Sequence, residues 1–294
     1  MTRNDLIIRA WQDYELIDSG DSRKLERYGT VTIIRPEVQA IWKPTKPDAW
    51  KKADAEFTRA GEKGTWRIKK GVPENWEIIW NDLHCAVRLT SFKHTGVFPE
   101  QAANWEWAGE RVMELRKNIE NPKVLNLFGY TGLASIALAK RGAHVTHVDA
   151  SKQSNSWAKE NAMLSEVPTE NIRYILDDAL AFVLREVRRG ANYEGIILDP
   201  PAFGRGAKGE VWHIEEHLPR LLEALSKIFA RTHGSFFLLN GYAAGYSAQS
   251  FLQAVESYLP EIKSKPKAEF GELQIQESNS SRVVSQGIYT RFTR

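Results

Sequence analysis

From Lys123 onward, five apolar runs, "KVLNLF", "HVTHVD", "IRYILD", "YEGIILD" and "GSFFLLN", alternate with segments of helical character that begin near Thr131, Ser151, Asp178, His213 and Ser247. Nothing else in the chain restricts its fold as strongly. Apolar strands separated by helix-length connections specify an α/β fold, a doubly wound parallel sheet with helices on both faces. Right-handed crossovers then bring the strand ends to one edge, where a ligand is expected. The closing stretch "EFGELQIQESNSSRVVSQGIYTRF" reads instead as two strands around a polar turn at Ser278 to Arg282, a terminal β-hairpin.

The first 90 or so residues have a different texture. "YELIDSG", "TVTIIRPEVQAIW", "WEIIWND" and "HCAVRLTSF" carry β-branched and aromatic residues in partial alternation, with a short helical pattern only around Ala49 to Arg59. A small β-rich N-terminal domain over residues 1–95 is expected, followed by a larger domain over 96–294. A helix with Ala103, Trp107, Val112 and Leu115 on one side leads into the latter. The formal charge is only +3, but nine basic residues against four acids fall between Lys43 and Lys70. That excess suits either a phosphate backbone or a solvated face. No apolar stretch is long enough to span a bilayer and the start lacks the layout of a secretion signal, so a cytoplasmic location is expected. Cys85 is the single cysteine, which excludes an intrachain disulfide and a cysteine-based metal site.

The first strand-loop-helix junction reads "NLFGYTGLASIALA". Gly129 and Gly132 allow backbone to approach a ligand, although their spacing is not that of the dinucleotide fingerprint. Asp149, ending the second strand about 20 residues later, is placed to accept both hydroxyls of a ribose. Asp177 and Asp178 end the third strand, where an adenine amino group can be read. Acids at two successive strand ends suit a nucleoside whose other end is cationic, and S-adenosylmethionine is such a ligand.

Together, "VLNLFGYTG", "HVDASKQSNSWAKENA" and "ILDPPAFGRG" resemble the three main signatures of the class I S-adenosylmethionine-dependent methyltransferases. They are most similar to the bacterial 23S ribosomal RNA methyltransferases of the DPPxF type and their uncharacterised relatives. "HTGVFPEQ" resembles the segment that precedes the core in that family. The resemblance runs from about Thr95 to the C-terminus. It implies a Rossmann-like seven-stranded sheet, S-adenosylmethionine as cofactor and RNA, ribosomal above all, as partner, with no membrane and no metal. It further implies Phe128, Gly129 and Gly132 at the methionine end, Asp149 and Ser151 at the ribose, Asp178 and Ala179 at the adenine, and Gln101 as an added cofactor contact.

The sulfonium methyl is already activated, so the acceptor loop has chiefly to orient a nucleophile. Asp199 and the carbonyl of Pro200 can accept from a base amino or imino group, and Phe203 can stack on that base. The loop Gly204 to Gly209 is expected to be flexible and to touch phosphate through Arg205 or Lys208. Relatives that methylate carbon 5 of a pyrimidine carry a cysteine where this chain has Asn240, so a base nitrogen is the expected target. The first 90 residues do not match the RNA-binding PUA module of the ribosomal members. "HIEEH", residues 213–217, has the spelling of a zinc site but offers no third ligand, and is read as a helix start. Methylation of a protein or small molecule, an NAD-dependent oxidoreductase and a binding module without turnover remain as alternatives, and the oligomeric state stays open.

Overall fold

A computed structural model describes residues 1–60, 63–91, 93–206, 209–242, 245–264 and 268–294. Lys208, expected at phosphate, lies outside the described residues. The chain opens with β1 (Thr2–Arg3), β2 (Leu6–Ile8), β3 (Tyr14–Gly20), β4 (Arg23–Tyr28) and β5 (Val31–Pro36). It continues through α1 (Pro47–Lys52), β6 (Ala55–Ala60), β7 (Lys63–Ile68), β8 (Asn75–Trp80) and β9 (Leu83–Arg88). Next come α2 (Ala102–Leu115), β10 (Lys123–Leu127), α3 (Leu133–Lys140), β11 (His144–Asp149), α4 (Lys152–Leu164), β12 (Ile172–Leu176) and α5 (Ala179–Arg188). The remainder is β13 (Gly195–Leu198), β14 (Phe203–Arg205), β15 (Val211–His213), α6 (Ile214–Ile228), β16 (Phe236–Gly241), α7 (Ala248–Tyr258), β17 (Glu269–Gln276) and β18 (Val283–Thr293).

These elements fall into two compact units, residues 1–6, 101–273 and 286–294 in one and residues 7–100 and 274–285 in the other. This differs from a single cut near residue 95. The N-terminus leaves the β-rich unit because β1 pairs in parallel with β17, Thr2 opposite Glu269. The hairpin tip joins that unit because Arg282 donates to Asp18 (2.8 Å) and Glu277 (2.9 Å), while Ser278 N–H donates to the carbonyl of Leu16 (2.8 Å).

The larger unit carries a sheet in the order β1-β17-β18-β16-β13-β10-β11-β12, with β2 also on β17. Seven of these strands form the expected sheet with its terminal hairpin, and β1 and β2 extend its edge. β10 pairs in parallel with both β11 and β13, β13 with β16, and β18 runs antiparallel to β16. The chain therefore winds outward from β10 to β12, then returns to the other side of β10 and continues through β13 and β16. That reversal puts the topological switch point at the carboxyl ends of β10 and β13, the place where sheets of this kind bind ligands. Every residue of β13 and of β16 is buried, as central strands covered by helices on both faces require. Leu125, Leu127, Ile196, Leu198, Phe237 and Leu239 pack with α5, α6 and α7 in one core.

The smaller unit holds the five-stranded sheet β3-β4-β5-β6-β7 and the pair β8-β9. The helical pattern expected over Ala49 to Arg59 is cut short: α1 ends at Lys52 and "AEFTRA" becomes β6. Its alternation is satisfied by pairing with β5 and β7. Cys85 is buried there, and burial pushes its thiol well up, which removes it as a nucleophile.

Candidate active site

The loop after β10 is held in an unusual backbone shape. Phe128 and Tyr130 have φ of 56° and 49°, left-handed values that cost a residue with a Cβ roughly 1–2 kcal/mol. Such strain persists only where surroundings over-determine it, and it concentrates at ligand clamps. Here Gly129 N–H donates to the Val148 carbonyl (3.1 Å) and Tyr130 N–H to Asp149 Oδ2 (2.8 Å). Gly129 is required by the protein itself, because a Cβ there would lie 2.3 Å from His147 Cε1. Gly132, left-handed at φ 83°, would place a Cβ 2.8 Å from that of Ala158 on α4. The expectation that both glycines serve ligand approach thus needs a second reason beside it, close packing of the loop on β11 and α4.

His147 is fully buried under this loop, and burial pushes its imidazole down to about 4. Asn126 donates to Ser135 Oγ (2.8 Å), and Ser135 Oγ lies 3.0 Å from His147 Nδ1. The ring is a neutral packing element between loop and sheet.

Asp149 ends β11, half-buried, with each carboxylate oxygen accepting one backbone N–H: Tyr130 on Oδ2 and Ser151 on Oδ1, both at 2.8 Å. Burial raises its carboxyl from the ordinary value and these two bonds oppose the rise. A carboxylate oxygen has a second lone pair, so both oxygens can still accept from a vicinal diol. Ser151 is the N-cap of α4, its Oγ accepting from Ser154 N–H (3.1 Å), and Asp178 caps α5 by accepting from Ala181 N–H (2.8 Å). Asp177 is committed to Arg185. Each cap satisfies one of the orphan donors at the start of its helix.

Asp199 directly follows β13 and accepts from Gln101 Nε2 at 3.1 Å. Gln101, expected as a cofactor contact, is thereby tied to Asp199. It is presented by the start of α2, and α2 is anchored deeper by Asn104, which donates to Asn240 Oδ1 (2.8 Å) and accepts from Arg291 (2.9 Å). Arg291 is buried, donates twice to Glu269 (2.9 and 2.6 Å) and lies over the rings of Trp107 and Tyr289. Sequence reasoning missed Asn104, Arg291 and Glu269. The one available signal was that Asn104 sits three residues after Gln101, on the same helical face.

Beyond Asp199 the buried Pro200 continues the strand end, and the Pro201 carbonyl accepts from the Trp212 indole (2.8 Å). Trp212 also packs edge-on against Phe128, ring centroids 4.9 Å apart, joining the proline loop to the glycine loop. Phe203 is 55% exposed, with its other neighbour His213 at 5.1 Å. Gly204 and Arg205, expected in a flexible loop, belong to β14, which pairs with β15. His213 and His217 bond to each other along the start of α6, and among the described residues no group of three or more His, Cys, Asp or Glu side chains can hold a metal ion.

Residues 58–264 match the family model described as S-adenosylmethionine-dependent methyltransferase. The chain belongs to that family. A crystal structure of an S-adenosylmethionine-dependent methyltransferase from Agrobacterium tumefaciens is 38% identical, covers 100% of this chain and 97% of that one, and superposes with a TM-score of 0.89. A methyltransferase structure from Streptococcus mutans, at 17% identity and a TM-score of 0.71 over 96% of this chain and 75% of that one, shares the fold. Among curated proteins, a ribosomal RNA large subunit methyltransferase K/L from Shewanella amazonensis is 31% identical over 175 residues, 58% of this chain. This methyltransferase spans 23% of that protein's length. Its cofactor is S-adenosylmethionine, and the oxidoreductase alternative falls away. The strained loop beside a half-buried carboxylate with spare lone pairs fits the donor's polar and diol groups. No helix among the described residues is long and apolar enough to cross a membrane.

Proposed function

We propose that the enzyme methylates a nitrogen of an RNA base, ribosomal RNA being the first candidate. The observation that carries this reading is the acceptor corner: Asp199 steadied by Gln101, the buried Pro200 and the exposed ring of Phe203, all just after β13, where Trp212 joins the proline loop to the strained glycine loop. Asp199 and the Pro200 carbonyl accept the N–H groups of a base drawn out of its stack, and Phe203 covers the base face. When bound, S-adenosylmethionine supplies a methyl group already activated on its sulfonium sulfur. Asp149 and Ser151 hold its ribose, Asp178 and Ala179 its adenine, and Phe128, Gly129 and Gly132 border its methionine end. Asp199 orients the nucleophilic nitrogen and takes up the proton an amine releases on methylation. Asn240, buried and held by Asn104, stands where a thiolate would be needed for pyrimidine carbon 5, which favours a nitrogen target. The ribosomal assignment is supported by the named relative, and the N-terminal residues to about 95 are given the task of docking substrate.

The test is methyl-labelled cofactor with fractionated RNA, ribosomal subunits and protein extract. Label is expected in an RNA fraction, on a base nitrogen; label confined to protein or small molecules ends the RNA reading. Asp199→Ala is expected to lower turnover at least about 100-fold while cofactor affinity stays within a few fold. An equal loss in cofactor binding would remove Asp199 from the acceptor side.

A further inference from the structure

The smaller unit contains a groove of about 500 Å³ between α1 and the β5-β6-β7 face. Its lining includes the cations Arg23, Lys51, Arg67 and Lys69 and only two carboxylates, Asp54 and Glu56. With four cations against two carboxylates the lining keeps a formal excess of two positive charges, and both acids are already engaged. Asp54 Oδ2 is turned into the sheet, accepting from Thr32 N–H (2.8 Å) and Oγ1 (2.7 Å). Glu56 is shared between Arg23 (3.4 Å) and Arg67. Lys51 is paired with the exposed Asp48, a surface ion pair worth about 0–1 kcal/mol that a phosphate can displace. The groove also has flat surfaces. Trp50 is held edgewise by its indole N–H on Asp18 Oδ2 (2.8 Å), the Arg23 guanidinium lies 5.1 Å over its ring, and Ile68 is half exposed beside them.

Resting on the RNA reading above, we propose that this groove docks a single-stranded segment of the RNA substrate. The cations follow the phosphates, and a base stacks on the fixed indole or on the guanidinium plane. Base stacking on such platforms tolerates any sequence, because every base has a flat face to offer. An acidic peptide would use the charge but leave the planar surface idle, and a duplex would present backbone without an unstacked base. Three cations of the basic run between Lys43 and Lys70, namely Lys51, Arg67 and Lys69, thereby belong to a localised site.

The experiment uses the full chain, a fluorescent oligouridylate of about 12 nucleotides, long enough to fill one such groove, and a duplex RNA of equal length. Lys51→Glu/Lys69→Glu is compared with Lys227→Glu/Lys263→Glu, an identical charge change on exposed lysines of the other unit. The groove pair is expected to weaken single-strand binding at least about 10-fold, to make the salt dependence shallower by about 1 in slope for each phosphate left without its cation, and to leave duplex binding within the range of the control. In the labelling assay it should raise the RNA KM at least about 10-fold, in step with the binding loss, with kcat and S-adenosylmethionine affinity unchanged. Equal weakening by both pairs, or an unchanged RNA KM, overturns the groove while wild-type labelling of RNA still upholds the RNA reading. Wild-type label found only in protein, with the groove pair impairing that reaction, overturns both.

Discussion

The central strands of the larger unit and the sheet of the smaller one are held by different means. In the larger one, β13 and β16 are buried and apolar throughout apart from Asn240 and the glycines, and the core around Leu125, Ile196 and Phe237 depends on close packing. In the smaller one, a full set of charges is buried. Glu26, with 0% exposure, accepts from Tyr14 (2.9 Å) and from two nitrogens of Arg35 (2.7 and 2.8 Å), while Arg35 also donates to Tyr28 (2.7 Å) and Lys24 lies 3.4 Å away. Burial alone would raise the Glu26 carboxyl, but Arg35 and Lys24 outweigh it and hold it at about 2. A parallel sheet with helices on both sides obtains a unique register from topology and apolar runs. In the smaller sheet, buried aliphatic side chains such as Leu25 and Ile33 are joined by a geometry that only one arrangement of hydrogen bonds satisfies.

The contrast breaks most visibly at Arg35. Arg35→Met removes the guanidinium and leaves a buried carboxylate with too few donors, and the expected loss is about 3–5 kcal/mol in denaturant unfolding followed by N-terminal tryptophans. Glu26→Leu/Arg35→Met together should cost much less than the single change. If both variants lose the same amount, the network is packing rather than charge satisfaction. The sign with pH follows from the Glu26 shift: its folded value lies below the unfolded one near 4.5, so its contribution is complete above about pH 4.5 and is lost as pH falls toward 2.

Among the buried polar groups of the larger unit is His147, beneath the glycine loop. Gly129→Ala forces a methyl against the imidazole, with an expected cost of about 1–3 kcal/mol and weaker cofactor binding. His147→Ser in the same chain should recover part of both, giving a coupling of at least roughly 1 kcal/mol in a double-mutant cycle. Additive losses would mean that the loop's shape does not depend on that contact. His147 also carries a pH signature of its own. Its folded value is depressed to about 4, so it stays neutral where the unfolded ring takes a proton, and stability is lost as pH falls from about 6.5 to 4. His147→Gln should flatten that limb of the stability profile.

Gly129 and His147 mark where reading the chain stops. The parallel sheet was legible because its central strands are short, largely apolar and buried segments separated by helical ones, and Asp149 and Asp199 were legible because each carboxylate stands at the carboxyl end of such a segment. Gly129 could be flagged but not explained, since its neighbour His147 lies on the next strand and no local pattern pairs them. The support of Asp199 joins Gln101, the residue just before α2, and Asn104 on α2 to Asn240 on β16 and Arg291 on β18, residues far apart in the chain that only the sheet order brings together. The β14-β15 pair escaped because three-residue strands carry almost no periodicity, and their cohesion comes from Trp212. The exchange of β1 into one unit and of the hairpin tip into the other was invisible for the same reason: it depends on pairings made between the two ends of the chain.

The smallest effect discriminates most finely between a structural and a binding role at the site. Ser151 was expected at the ribose, yet its Oγ caps α4 by accepting from Ser154 N–H, and its own N–H orients Asp149. Ser151→Ala deletes the cap and keeps the backbone bond. Cap removal costs about 1 kcal/mol of stability, and a hydroxyl serving only as cap leaves cofactor affinity within about twofold, since Asp149 remains aligned. A hydroxyl that also meets the ribose would weaken cofactor binding by roughly tenfold, the worth of a neutral hydrogen bond at the upper end of its range. Titration calorimetry with S-adenosylhomocysteine separates these outcomes. Ser151→Asp supplies the internal check, since it restores a cap at the helix N-terminus and brings a second carboxylate beside Asp149. Recovered stability with unrecovered affinity would place the hydroxyl in the binding site, while recovery of stability alone from an Ala variant that never lost affinity would leave it a cap.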